Sequence, residues 1–121
     1  MKEPKYDLNG FIEACRIDKD VVITNKAQET ARDELKLSTK VEVLQYIISF
    51  NKESFEHLNT ADSEQQPGEI IDSYSIKAKV PIYLAYHKTK KDKWVIKSCK
   101  RDKRYPPDLW FGEMLKSKLI S

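Results

Sequence analysis

One stretch limits what this chain can fold into more than any other: Val80 to Arg104, VPIYLAYHKTKKDKWVIKSCKRDKR. Ile82 to His87 and Trp94 to Lys100 are rich in β-branched and aromatic residues, and the run HKTKKDK between them is polar throughout. That pattern is a β-hairpin. Its loop lacks Asn-Gly or Asp-Gly, which leaves turn type and register open.

Register decides the chemistry, because strand side chains alternate between faces and a one-residue slip moves each of them to the other side. A turn centred between Lys90 and Lys91 pairs Tyr83 with Ser98 and places Lys100 on the same face. Ile82, Leu84 and Tyr86 then share the core side with Val95 and Cys99. The other side carries Tyr83, His87, Ser98 and Lys100, with Trp94 among them. A solvated face of an antiparallel sheet has the same appearance, so charge has to separate the two readings.

The charge is strongly polarised. Lys77 to Arg104 holds eleven Lys and Arg against two Asp, whereas Met1 to Ile76 holds nine basic residues against fifteen acidic ones. The overall net charge of +3 conceals this division. An edge strand blunted against aggregation also carries lysines, but eleven exceed that need. Basic residues interleaved with Tyr, His and Trp suit a polyanion whose bases can stack, which favours single-stranded RNA or DNA. The candidate contacts are Lys88, Lys90, Lys91, Lys93, Lys97 and Arg101.

At 121 residues the chain is one domain by length, and 34% charged residues describe a polar globule. No apolar run approaches the roughly 20 residues of a membrane span, and the start MKEPKYDL lacks the apolar core of a signal peptide, so a cytoplasmic protein without a membrane partner is expected. Cys15 and Cys99 match no metal-ligand spacing and read as reduced thiols in or near the core. With two cysteines and two histidines, neither a metal nor a cofactor is expected.

Elsewhere the periodicity predicts helices. Leu8, Phe11, Ile12 and Cys15 form one helical face with Asp7 as N-cap. Val21 to Thr24 reads as a brief strand or an extended link. A second helix runs from Asn25 to about Leu35, its Ala27, Ala31, Leu35 stripe allowing close approach of a neighbour. Ser38 or Thr39 can cap a third helix, Glu42 standing at capping-box spacing from Thr39, with Val43, Leu44, Ile47 and Ile48 on its apolar face. The helical pattern restarts near Asn51 with Phe55 and Leu58 apolar, placing His57 at the end of this third helical region. Thr60 to Gly68 reads as a loop, and Glu69 to Ile76 as a strand. From Pro107 to Leu119 a C-terminal helix is expected, with Leu109, Trp110, Met114 and Leu115 on its apolar face. The order predicts an α+β fold, N-terminal helices packed on a mainly antiparallel sheet with an added C-terminal helix.

In their order and spacing, a set of residues resembles the MqsR family of bacterial toxins. It comprises Leu8, Val22, Thr24 and Ala27; Ala31, Asp33, Glu34, Leu35 and Leu37; Ile47, Ile48, Glu53, Phe55 and Thr60; Asp72 and Tyr74; Ile82-Tyr83-Leu84; and Val95 to Lys100. The resemblance covers about Tyr6 to Lys100, leaving 105–121 as an extension. It implies a RelE-like fold, and a ribosome-independent, metal-independent, sequence-specific endoribonuclease acting on mRNA, the toxin of a type II toxin-antitoxin system with a cognate antitoxin protein as partner. In that family a lysine shortly after a Phe, a glutamine in the strand before the hairpin, a tyrosine opening the hairpin and a lysine ending it carry cleavage. The tyrosine falls on Tyr83 and the last lysine on Lys100, while the first lysine falls on His57, a departure. The glutamine falls near Ile71, or on Glu69 with the gap placed differently.

Metal-free RNA cleavage uses the neighbouring 2′-hydroxyl as nucleophile. A protein must take its proton, neutralise the phosphorane and protonate the leaving 5′-oxygen. Lys100 would supply charge, His57 would be acid or base, a role commonly worth ~10²- to 10⁴-fold, and Tyr83 would position the hydroxyl or act as base. These roles require His57, Tyr83 and Lys100 to converge. A catalytically inert basic module, binding nucleic acid or a protein partner, does not. His87, at the loop end, is either a stacking partner for a base or solvent-exposed, exposure being the expected reading.

Overall fold

The computed structural model describes residues 3–63 and 68–103. In chain order these form α1 (Leu8–Ile17), β1 (Val21–Ile23), α2 (Asn25–Leu35), α3 (Lys40–Ile48), β2 (Phe55–Asp62), β3 (Ile70–Ile76), β4 (Ile82–Lys88) and β5 (Trp94–Arg101). The strands make one sheet in the order β1-β5-β4-β3-β2, antiparallel except where β1 runs parallel to β5. The fold is therefore α+β, three helices with a five-stranded, mostly antiparallel sheet. The expected C-terminal helix and its Leu109, Trp110, Met114 and Leu115 face lie outside the described residues.

The helix starts follow their caps. The Thr24 hydroxyl accepts from the Ala27 N–H at 3.1 Å to open α2, and Thr39 with Glu42 closes a complete capping box on α3. The Asp7 side chain makes no cap bond, so α1 depends more on burial. Phe11 stacks on Tyr86 with ring centroids 3.8 Å apart, and Trp94 meets both rings edge-on. Ala27 and Ala31, both fully buried, let α2 approach β5 closely enough for the Thr30 hydroxyl to reach the Cys99 carbonyl at 3.4 Å. Both cysteines are buried, and burial pushes each thiol up to about 12, which keeps them protonated and inert.

Two sequence expectations fail in instructive ways. Phe55, Leu58 and His57 belong to β2 and not to a helix; only Lys52–Ser54 is a helical turn, and the strand runs through Thr60 into the expected loop. Leu58 is an extra residue in the ladder, His57 pairing with Tyr74 and Asn59 with Ser73, so the strand alternation is broken where it would have been read.

The hairpin behaves similarly. Its turn centres on Lys90 and Lys91, as supposed: Asp92 N–H donates to the Thr89 carbonyl at 3.0 Å, and Asp92 takes a left-handed conformation with φ 62°. The residue added at Asp92 shifts the register by one, and Lys97 shifts it again, since Tyr86 pairs with Ile96 but Ala85 with Ser98. Near the loop, parity is therefore reversed. Trp94 enters the core and Val95 turns to the other face, the opposite of the expectation. Beyond Lys97 the two shifts cancel in parity, so Tyr83, Ser98 and Lys100 share a face as expected, with Lys100 instead of Ser98 directly opposite Tyr83.

Candidate nucleic-acid interface

Cross-strand partners share a face, so the pairing assigns each side chain. Row by row, His57, Tyr74, Leu84 and Cys99 lie on one face, and Glu56, Ser75, Tyr83 and Lys100 on the other. Tyr74, Leu84 and Cys99 belong to the core beneath the helices. His57 is thus on the helix-bearing side, and Tyr83 and Lys100 are on the polar side. The trio His57, Tyr83, Lys100 is not brought together.

What His57 does instead is visible in its contacts. Its Nε2 lies 2.7 Å from the Thr60 hydroxyl, which donates to Asp72 Oδ1. A hydroxyl already donating must accept from its other neighbour, so His57 carries its proton on Nε2. The fully buried Asp72 also accepts the Lys5 and Tyr6 backbone N–H groups at 2.9 Å each. His57 therefore ends a chain of hydrogen bonds that fastens the N-terminal segment across β2 and β3. Its ring also packs edge-on against Tyr74, centroids 5.4 Å apart.

On the polar face two groups form. At the end away from the loop, Lys100 Nζ sits 5.7 Å from the centroid of the Tyr83 ring, within cation–π range. Ser75, the β3 neighbour of Tyr83, donates to Asp102 Oδ2 at 2.7 Å, both being buried. Neither Ser75 nor Asp102 carries a sequence signal for this role; Asp102 reads only as a charge among lysines. Toward the loop, Glu69 Oε1 lies 3.4 Å from His87 Nε2 and 3.3 Å from Lys97 Nζ. Burial holds His87 below its usual range, with Lys97 acting in the same direction and Glu69 opposing them. His87 is 5% exposed, which corrects the expected solvent position.

The two groups lie about 13 Å apart along β4, four residues at ~3.3 Å each. No single phosphate touches both. Between them Ser73 and Ala85 are buried, whereas Tyr83, Val95, Ser98 and Lys100 are half-buried.

The expected RNA-contacting residues separate likewise. Lys90 and Lys91 are exposed at the loop tip, and Lys93, also exposed, donates to the Lys19 carbonyl at 2.8 Å. Lys88 lies 5.0 Å over the Trp94 ring and 3.7 Å from Asp92. Lys97 is held by Glu69. Arg101 pairs with Ile82 on the helix-bearing side, where its backbone N–H donates to Glu34 at 3.1 Å, so it stands apart from Lys100.

Among the described residues no three His, Cys, Asp or Glu side chains converge to hold a metal ion, and no helix is long and apolar enough to cross a membrane. Comparison of the chain with models of protein families, with curated proteins and with solved structures finds no match.

Proposed function

We propose that this chain is a single-stranded-RNA-binding domain of the MqsR toxin type, RelE-like in plan, whose RNA surface is the polar sheet face continued onto the lysine-bearing loop. The observation that carries this reading is the apposition of Tyr83 and Lys100 across β4 and β5, with Lys100 Nζ 5.7 Å from the ring centroid. The resemblance puts a functional tyrosine and lysine at these two positions, and face parity points to the same pair. A cation beside an aromatic ring offers a phosphate and a base what each needs. Lys90 and Lys91 extend the positive field to the other end of the hairpin. An antitoxin protein is the partner this reading implies.

The test is a salt titration of binding to a short single-stranded RNA. Affinity falls steeply with salt, with a log-log slope of about −0.7 per phosphate contacted, and the double change Lys90→Ala, Lys91→Ala flattens it by about 1.4 if each lysine meets one phosphate. An unchanged slope removes the loop from the surface.

A second reading, favoured by the same Tyr83 and Lys100 pair, is that the face also cuts the RNA it binds. His57 is then not the proton-transfer group, because it stands behind the sheet. Incubating RNA with the protein in EDTA and mapping the ends decides between the readings. Cutting that is lost in Tyr83→Phe and Lys100→Ala but kept in His57→Ala supports the endoribonuclease. Binding without new ends leaves the inert module.

A further inference from the structure

At the loop end of the sheet a cleft of about 580 Å³ opens between the N-terminal segment and the ends of β3 and β4. Lys5, Tyr6, Glu69, His87, Lys88 and Lys90 contribute to its walls. We infer that this cleft, at the end of the sheet where its two faces meet, is a nucleotide subsite bordering the RNA surface, taking one base of the bound strand against Tyr6 on the helix-bearing side and Glu69 on the polar side, and its phosphate against Lys5, Lys88 and Lys90. The inference rests on the RNA reading above and adds where a base is selected.

The volume lies within the range of small-ligand pockets. Three lysines along one cleft supply the positive field a phosphate requires. Tyr6 offers a ring fixed in place, since its hydroxyl donates to the Ile70 carbonyl at 2.7 Å and its ring meets Trp94 edge-on with centroids 5.8 Å apart. An immobilised aromatic ring is a stacking platform that loses little entropy when a base lands on it.

Glu69 supplies discrimination. Its Oε1 faces His87 and Lys97, whereas among the described residues no side chain engages Oε2. A carboxylate held in place by two cationic or titratable neighbours, with one oxygen unengaged, accepts the exocyclic amino N–H groups of a base edge, whereas uracil offers only one imino N–H flanked by two carbonyl oxygens that repel it. His87 lies four residues from Tyr83 on β4, so a strand seated here reaches the Tyr83 and Lys100 pair within a few nucleotides.

The probes are the four 5′-mononucleotides GMP, AMP, CMP and UMP, followed by amide chemical-shift mapping of the full chain. Saturable shifts at Tyr6, Glu69, His87 and Lys88, larger for bases bearing an amino group than for UMP, are the expected result. Glu69→Gln then weakens the amino-bearing nucleotides at least about fivefold and narrows their lead over UMP, and Lys88→Ala with Lys90→Ala weakens all four. Glu69→Gln is checked for an unchanged melting profile; should it unfold, the lysine pair carries the test. Inorganic phosphate producing the same shifts, or no saturable shift at these amides, overturns the subsite. If RNA binds and its affinity ignores Glu69→Gln in a folded protein, the subsite fails while the RNA reading stands. If mononucleotides saturate the cleft but no RNA binds, the RNA reading fails and the strand-bound subsite fails with it.

Discussion

The two faces of the sheet are built by different rules. The helix-bearing face is held by shape: Phe11, Tyr86, Trp94 and Tyr74 stack in an order that admits few substitutes, and its buried carboxylate Asp72 is surrounded by donors. The polar face is held by charge, with Glu69 between His87 and Lys97 and Lys100 over Tyr83. Stability therefore belongs mainly to the first face, and the proposed RNA binding to the second. Their separation explains why a histidine in the right stretch of sequence, His57, works for the fold and stands away from the pair it was expected to join.

The largest effect that sharpens this contrast is in the aromatic stack. Phe11→Ala removes a fully buried ring from contact with Tyr86 and costs about 3–5 kcal/mol in denaturant unfolding. Next, Asp72→Ala strands two backbone N–H groups and the Thr60 hydroxyl, and costs at least about 2 kcal/mol. A loss below about 0.5 kcal/mol in either variant would mean that these contacts do not carry the core.

The helices and the strand pattern of β3 and β4 were legible because their signals are local: the Thr39 and Glu42 box, the Ala27 and Ala31 stripe, the apolar alternation of Ile82, Leu84 and Tyr86. Three inserted residues were not legible. Leu58, Asp92 and Lys97 each displace the ladder by one, and each depends on what the partner strand offers, which no single strand records. Leu58 disguised β2 as a helix, and Asp92 with Lys97 exchanged Trp94 and Val95. Tyr83 and Lys100 were placed correctly on one face because the two hairpin shifts cancel in parity. Glu69 appeared in sequence only as an alternative for the family glutamine, and its contact with His87 and Lys97 arises from β3, β4 and β5 lying side by side.

A smaller effect concerns pH. Because burial lowers the His87 pKa from its ordinary 6.5, the unfolded chain binds a proton that the folded chain refuses. The contribution is full above pH 6.5 and is lost as pH falls through the folded value. Stability should drop between pH 6.5 and the lower folded value and level off beneath it, and His87→Gln should flatten that drop in unfolding curves taken across the range; an identical slope would place the titration elsewhere. The smallest change is expected for Tyr83→Phe, which removes one half-buried hydroxyl and should shift stability by no more than about 0.5 kcal/mol. A larger loss would make Tyr83 part of the scaffold.

The division of labour between the faces is tested most directly by one matched comparison, the affinity of Lys100→Ala and of His57→Ala for the same single-stranded RNA at one fixed salt concentration. Lys100→Ala should weaken binding about tenfold or more, the worth of a charge-assisted contact, while His57→Ala leaves it within about twofold of the parent. Equal losses in the two folded variants, or a loss only in His57→Ala, would contradict the assignment of the polar face as the RNA surface.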